Sequence, residues 1–221
     1  HPPNPSPELG PDQKSNSDSL VRIVPKGLRS FGPEDSDFFL ELLPGPRDRE
    51  GLPDSIRFWK RRIESFDPES SFAVGLIYGP SGCGKSSLVK AGLLPRLAPS
   101  IVRVYLEATR EDTEARLAKG LRKACPALPP NRNLTESVAT LRRGQTISSG
   151  QKVLIVIDQF EQWLHAHGQD MEKTELVSAL RHADGENVQI VLMVRDDFWL
   201  GASRLFDNLE INLDREHNTR L

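Results

Sequence analysis

With 221 residues and 37% hydrophobic content, the chain is long enough for one sizeable core plus extensions. Its 29 basic and 31 acidic side chains leave a formal net charge of −2, which gives no general electrostatic reason for a nucleic-acid or membrane-surface partner. Two cysteines, Cys83 and Cys125, build neither a disulfide framework nor a metal-ligand set, and the longest apolar run, Val153 to Ile157, is far too short to span a bilayer; the expectation is a cytoplasmic protein of a reducing compartment.

In chain order, residues 1–24 are expected to be a disordered linker, because His1 to Ser19 is rich in Pro, Asn, Ser and Gly and nearly free of apolar side chains. A start at His1 rather than methionine suggests a piece of a longer protein. Asp35 to Ser65 reads as partly helical, with Phe58, Trp59 and Ile63 as packing residues. Four β-rich runs follow: Phe72 to Tyr78, Ile101 to Leu106, Lys152 to Ile157 and Val188 to Val194. The last two are nearly continuous apolar stretches, which suits strands of a parallel sheet buried on both faces. Between and after them, helical periodicity covers Lys85 to Leu94, Thr113 to Cys125, Leu134 to Arg142, Asp170 to His182 and Asp197 to Leu209. Strands alternating with helices predict an α/β three-layer sandwich with a mostly parallel sheet. The polar stretch Asp214 to Arg220 closes off no helix or strand, so the sequence is expected to continue beyond Leu221.

The strongest chemical signal is Gly79, Pro80, Ser81, Gly82, Cys83, Gly84, Lys85 and Ser86, a full match to GxxxxGK[ST], followed by Ser87. A loop that wraps a phosphate must aim several backbone N–H groups at it, which requires glycine where φ is positive or a side chain would collide. The helix that follows presents its positive end to the same anion. Lys85 adds a point charge at the β- and γ-phosphates, and the Ser86 hydroxyl is placed to ligate Mg²⁺. Cys83 reads either as a redox-sensitive thiol or as a small residue tolerated at a variable position.

The third run ends in Asp158, the expected Mg²⁺-side carboxylate; the bland reading is a cap for the next helix. Glu161, three residues on, is a candidate general base for an attacking water, or else an acidic residue favoured by a helix dipole. Arg195, at the end of the fourth run, is a candidate reader of the γ-phosphate, or else the partner of Asp196 or Asp197. Strand ends on one edge of a parallel sheet would bring Lys85, Ser86, Asp158, Glu161 and Arg195 together.

Gly27 to Phe31 with Glu34 and Asp35, the run Gly79 to Pro95, Ile157 to Glu161 and Val194 to Phe198 together resemble the novel STAND NTPases, bacterial relatives of the NACHT and apoptotic-ATPase proteins. The resemblance covers residues 25–221 and implies a P-loop NTPase domain of the ASCE/STAND type there, with residues 25–70 as a helical base-pocket region and 71–221 as the α/β core. It implies that Lys85 and Ser86 are the P-loop lysine and Mg²⁺ ligand, Asp158 the Walker B aspartate and Arg195 the sensor-1 arginine, with Glu161 at the acidic position after Walker B. Where many relatives read Phe-Phe-Gly-Arg-Glu, this chain has Phe38, Phe39 and Leu40, then Gly45 to Glu50. It also implies ATP or ADP with Mg²⁺ as the ligand. The helical and winged-helix segments that clamp ADP in the family are missing, so the domain is expected to be truncated at its C-terminus. Covalently linked effector or sensor domains, such as a protein kinase or repeats, are the implied partners.

The leading expectation is an ATPase that binds ATP with Mg²⁺, hydrolyses it slowly and acts as a signalling switch. No arginine finger is identifiable in the chain, but a partner subunit in a nucleotide-dependent homo-oligomer could supply one. A non-catalytic nucleotide-binding scaffold is the first alternative. A small-molecule kinase is the second, and Glu161, suited to activating water, argues against it.

Overall fold

The computed structural model describes residues 29–168, 170–213 and the backbone of 218–220; the expected linker lies outside them. Two short helices come first, α1 (Ser36–Leu42) and α2 (Asp54–Glu64). In α2, Ile56, Trp59 and Ile63 recur at helical spacing and are all buried, while Asp54 opens the helix and Arg61 and Arg62 close it, each on the side the helix dipole favours. Removing one such apolar side chain from water stabilises by about 1.5–3 kcal/mol, so this face holds the segment to the sheet.

Strand β1 (Val74–Gly79) leads through the glycine-rich loop into α3 (Lys85–Ser87), which continues as a π-helical segment over Leu88–Leu93. An uninterrupted α-helix over Lys85 to Leu94 is therefore not what forms. Pro95 has no N–H for the Ala91 carbonyl, and the Arg96 guanidinium takes that place, donating to Ala91 O at 2.8 Å and Gly92 O at 3.1 Å. The remaining elements are β2 (Ile101–Glu107), α4 (Thr113–Ala124), α5 (Leu134–Arg142), β3 (Lys152–Asp158), α6 (Glu161–His167), α7 (Glu175–Leu180), β4 (Val188–Arg195), α8 (Trp199–Asn208) and β5 (Asn218–Arg220).

Two further expectations need correction. The helix expected over Asp170 to His182 splits into a 3-10 turn (Met171–Lys173) and α7, because Thr174 takes an extended backbone and its side chain caps α7 by accepting from Val177 N. The closing polar stretch does contain a strand: Asn218–Arg220 pairs with Leu76, Ile77 and Tyr78 of β1.

The five strands run β2-β3-β4-β1-β5, and every pairing is parallel. β4 thus lies between the P-loop strand and the Asp158 strand. β3 is buried throughout and β4 up to Val194, as central strands covered on both faces must be, whereas the edge strand β2 alternates. Leu154, Val156, Val191 and Met193 face one core with α1, α2 and the π-helical segment; Val153, Ile155, Ile157, Ile190 and Leu192 face the other with α4 to α8. This is a three-layer α/β sandwich. Gly92 permits the closest approach in the first layer, since a Cβ there would stand 2.5 Å from Ile56 Cδ1 and 3.2 Å from Phe39 Cε1. Among the described residues no helix is long and apolar enough to cross a membrane.

Candidate functional site

The C-terminal ends of β1, β3 and β4 open on one cavity of about 680 Å³. In the loop after β1, Gly82 and Gly84 hold φ of 78° and 96°, values that only glycine adopts at little cost. The helix begins directly at Lys85, and Ser81, Gly82, Gly84, Lys85, Ser86 and Ser87 line the cavity. Gly79, Pro80 and Cys83 do not. The Lys85 ammonium is folded over its own loop, donating to Gly79 O and Pro80 O, both at 2.8 Å, with Cys83 Sγ at 3.7 Å. Cys83 is an exposed free thiol.

At the end of β3, Asp158 is 2% exposed. Its Oδ2 accepts from Ser86 Oγ at 2.5 Å and from the Tyr105 hydroxyl, and its Oδ1 accepts from Gln159 N at 2.8 Å. Asp158 is therefore not the cap of the following helix, whose N-cap position is Phe160. Burial, then Asp158 itself, push the Tyr105 phenol far above its ordinary range, so the hydroxyl keeps its proton. Gln159 turns the chain with φ of 53°, an uncommon value away from glycine, and also lines the cavity.

Glu161 is the first residue of α6 and is buried; it sits in the first helical turn, where the helix dipole favours an acidic residue, and it lines the cavity. Its Oε2 accepts from the Arg195 backbone N–H at 3.3 Å, tying α6 to the end of β4. The Arg195 side chain lines the same cavity but pairs with Asp197, Nε to Oδ1 at 3.0 Å and Nη2 to Oδ2 at 2.5 Å, as the bland reading had it. Its guanidinium carbon lies 5.7 Å from the centroid of the Phe198 ring.

The segment before the first strand closes the cavity from the other side. Phe31 N donates to Ser87 Oγ at 3.0 Å, and the Phe31 ring packs on Phe38 and Phe39 at centroid distances of 6.0 and 5.5 Å. Arg29, Ser30, Phe31 and Phe39 line the wall. Arg29, Lys85 and Arg195 against Asp158 and Glu161 make the lining a mixture suited to a polyanion with a cation. Among the described residues no group of three or more His, Cys, Asp and Glu side chains could hold a metal by itself. A hydroxyl and a carboxylate converging within 2.5 Å fit Mg²⁺, which takes one or two protein ligands and completes its shell with phosphate and water. Of the residues expected in the site, Ser81, Gly82, Gly84, Lys85, Ser86, Ser87, Asp158, Glu161 and Arg195 meet at this cavity, whereas Gly79, Pro80 and Cys83 do not line it. Tyr105 and Gln159 carry no expected role, and although Gln159 falls within the Ile157 to Glu161 motif, nothing in the sequence around Tyr105 marks it.

The family model described as Novel STAND NTPase 1 matches residues 26–219. The chain belongs to this family. Among curated proteins none matches it. Of solved structures, a chain of Drosophila ORC bound to DNA superposes on this novel STAND NTPase with a TM-score of 0.51 and 20% identity, over 76% of this chain and 42% of that one. A Walker-type ATPase of Pyrococcus abyssi gives 0.47 and 19% identity, over 82% of this chain and 57% of that one. The ORC likeness shows a shared fold alone, and this chain spans less than half the length of its ORC counterpart.

Proposed function

We propose that this STAND NTPase domain binds ATP together with Mg²⁺, hydrolyses it slowly, and serves as a nucleotide switch within a larger protein. The observation that carries the reading is the convergence of Lys85, Ser86, Asp158, Glu161 and Arg195 on a single cavity at the carboxyl edge of the sheet. On binding, Lys85 would exchange the Gly79 and Pro80 carbonyls for phosphate oxygens. Ser86 and Asp158 would hold Mg²⁺, which neutralises charge on the phosphates when bound. Glu161 would accept the proton of an attacking water.

Arg195 supports the switch element of the reading. Its pair with Asp197 has side chains 43% and 50% exposed, and such pairs contribute about 0–1 kcal/mol. A charge-assisted bond to phosphate is worth about 1.5–3 kcal/mol. A γ-phosphate in the cavity should therefore draw Arg195 off Asp197, and hydrolysis should let it return. The backbone of Arg195 is bonded to Glu161, so the group that would sense phosphate and the group that would drive its loss lie at one strand end. Sensor and effector domains linked in the same chain, a kinase or repeat domain among them, are the partners this reading implies.

The test is to follow binding of labelled ATP, ADP and GTP together with phosphate release, for the wild type, Lys85→Ala and Glu161→Gln. Saturable ATP binding lost in Lys85→Ala, with slow release abolished in Glu161→Gln, supports the switch. Binding without turnover in the wild type would favour a scaffold, and phosphate transfer only with an added acceptor would favour a kinase.

A further inference from the structure

We propose that Tyr105 is a positioning residue for Asp158, its hydroxyl fixing the carboxylate through which the domain takes up Mg²⁺ with its nucleotide. The proposal rests on the reading of the site given above. β2 is paired to β3 so that Tyr105 stands opposite Val156 and Glu107 opposite Asp158. Alternate residues of a strand share a face, so Tyr105, Glu107, Val156 and Asp158 all lie on the P-loop side of the sheet. Tyr105 and Asp158 are diagonal neighbours there, and a phenol has the length to cross that diagonal where serine or threonine does not.

Three donors serve the Asp158 carboxylate: Ser86 Oγ and the Tyr105 hydroxyl on Oδ2, and Gln159 N on Oδ1. Ser86 is the residue whose oxygen would also have to serve a cation. Tyr105 and Gln159 have no such second duty, and only Tyr105 acts on the oxygen that faces Ser86. Its ring is itself held. Lys90, on the π-helical segment that continues the P-loop helix, places Nζ 4.7 Å from the ring centroid and pairs with Glu107 at 3.0 Å. Tyr105 thereby links the strand bearing the carboxylate to the helix bearing Ser86. A phenylalanine would fill the same space, and a partly buried hydroxyl adds stability only through its bond, so what the hydroxyl supplies is the orientation of Asp158.

Groups that orient a ligating carboxylate commonly cost about 10–100-fold in metal affinity when removed. The experiment measures ATP affinity of the full chain in EDTA and across a Mg²⁺ titration, for the wild type, Tyr105→Phe and Lys90→Met. In EDTA the three should agree within about twofold, while the half-maximal Mg²⁺ concentration rises by about 10-fold or more in Tyr105→Phe and by less in Lys90→Met. With Mn²⁺ in place of Mg²⁺, the paramagnetic resonance linewidth of the bound ion should broaden in Tyr105→Phe, a signature that altered packing alone would not produce. If the wild type responds to Mg²⁺ and Tyr105→Phe responds at the same concentration or a lower one, the positioning role is overturned and the site reading stands. If nucleotide binding by the wild type is indifferent to Mg²⁺, both fall.

Discussion

Lys152, the first residue of β3, is 0% exposed, and its ammonium donates to Ser65 O at 2.5 Å and to Gly185 O at 2.8 Å. Burial pushes its pKa down from 10.5 to about 8, with Asp184 and Glu186 pulling weakly the other way. That gap corresponds to about 3 kcal/mol. Below pH 8 the folded and unfolded chains both carry the proton, and the fold bears the full cost of burying it. Between pH 8 and 10.5 the unfolded chain binds more protons than the folded one, so stability rises with pH across that window. Lys152→Met removes the buried charge but leaves Ser65 O without its donor, at about 1–3 kcal/mol; Gly185 O keeps its bond from Ser71 Oγ. Near neutral pH these effects oppose each other, and the variant should be within about 2 kcal/mol of the wild type. Urea titrations of both proteins from pH 7.5 to 9.5 cancel the titrations they share. The difference should move by about 2 kcal/mol in favour of the wild type over that range. A difference independent of pH would refute the reasoning and mean that the ammonium is solvated or paired.

Gly92→Ala should destabilise the domain by about 1–3 kcal/mol through the clash with Ile56, and Ile56→Val in the same chain should restore part of the loss in a thermal melt. Asp197→Asn should free Arg195 and tighten ATP relative to ADP by up to about fivefold, the limit set by an exposed pair, read as a ratio of two dissociation constants; an unchanged ratio would mean Arg195 does not reach the γ-phosphate. Gln159→Val places a β-branched residue at φ of 53° and should cost about 1–3 kcal/mol in urea unfolding, while weakening nucleotide binding through the lost alignment of Asp158.

The sandwich and the phosphate cradle were legible because both are written locally. Val153 to Ile157 and Val188 to Val194 show their burial on both faces directly, and the spacing from Gly79 to Ser86 carries its own chemistry. Strand order was not legible, since nothing local says that β4 enters between β1 and β3. Asn218–Arg220 offers no apolar pattern and becomes a strand only by pairing with β1. Tyr105 read simply as a strand residue, because its partner is 53 positions away. Lys152 read as an ordinary polar start to a strand; its burial comes from the Ser65 and Gly185 segments folding over it.

The two ends of β3 bear on how the central strand finds its alignment. The residues Val153 to Ile157 are apolar and buried on both sides, so a slip of one position would exchange one greasy face for another at small hydrophobic cost. A run of that kind cannot choose between neighbouring pairings. Lys152 and Asp158 can, because each is a buried polar group whose partners on other segments exist in one frame only: Ser65 O and Gly185 O at the start, Ser86 and Tyr105 at the finish. Sliding the strand would strand both groups among hydrocarbon at once. The residue that serves the nucleotide is thus also half of a two-point lock, and neutralising both ends together should favour a chain that collapses with a mixture of strand alignments.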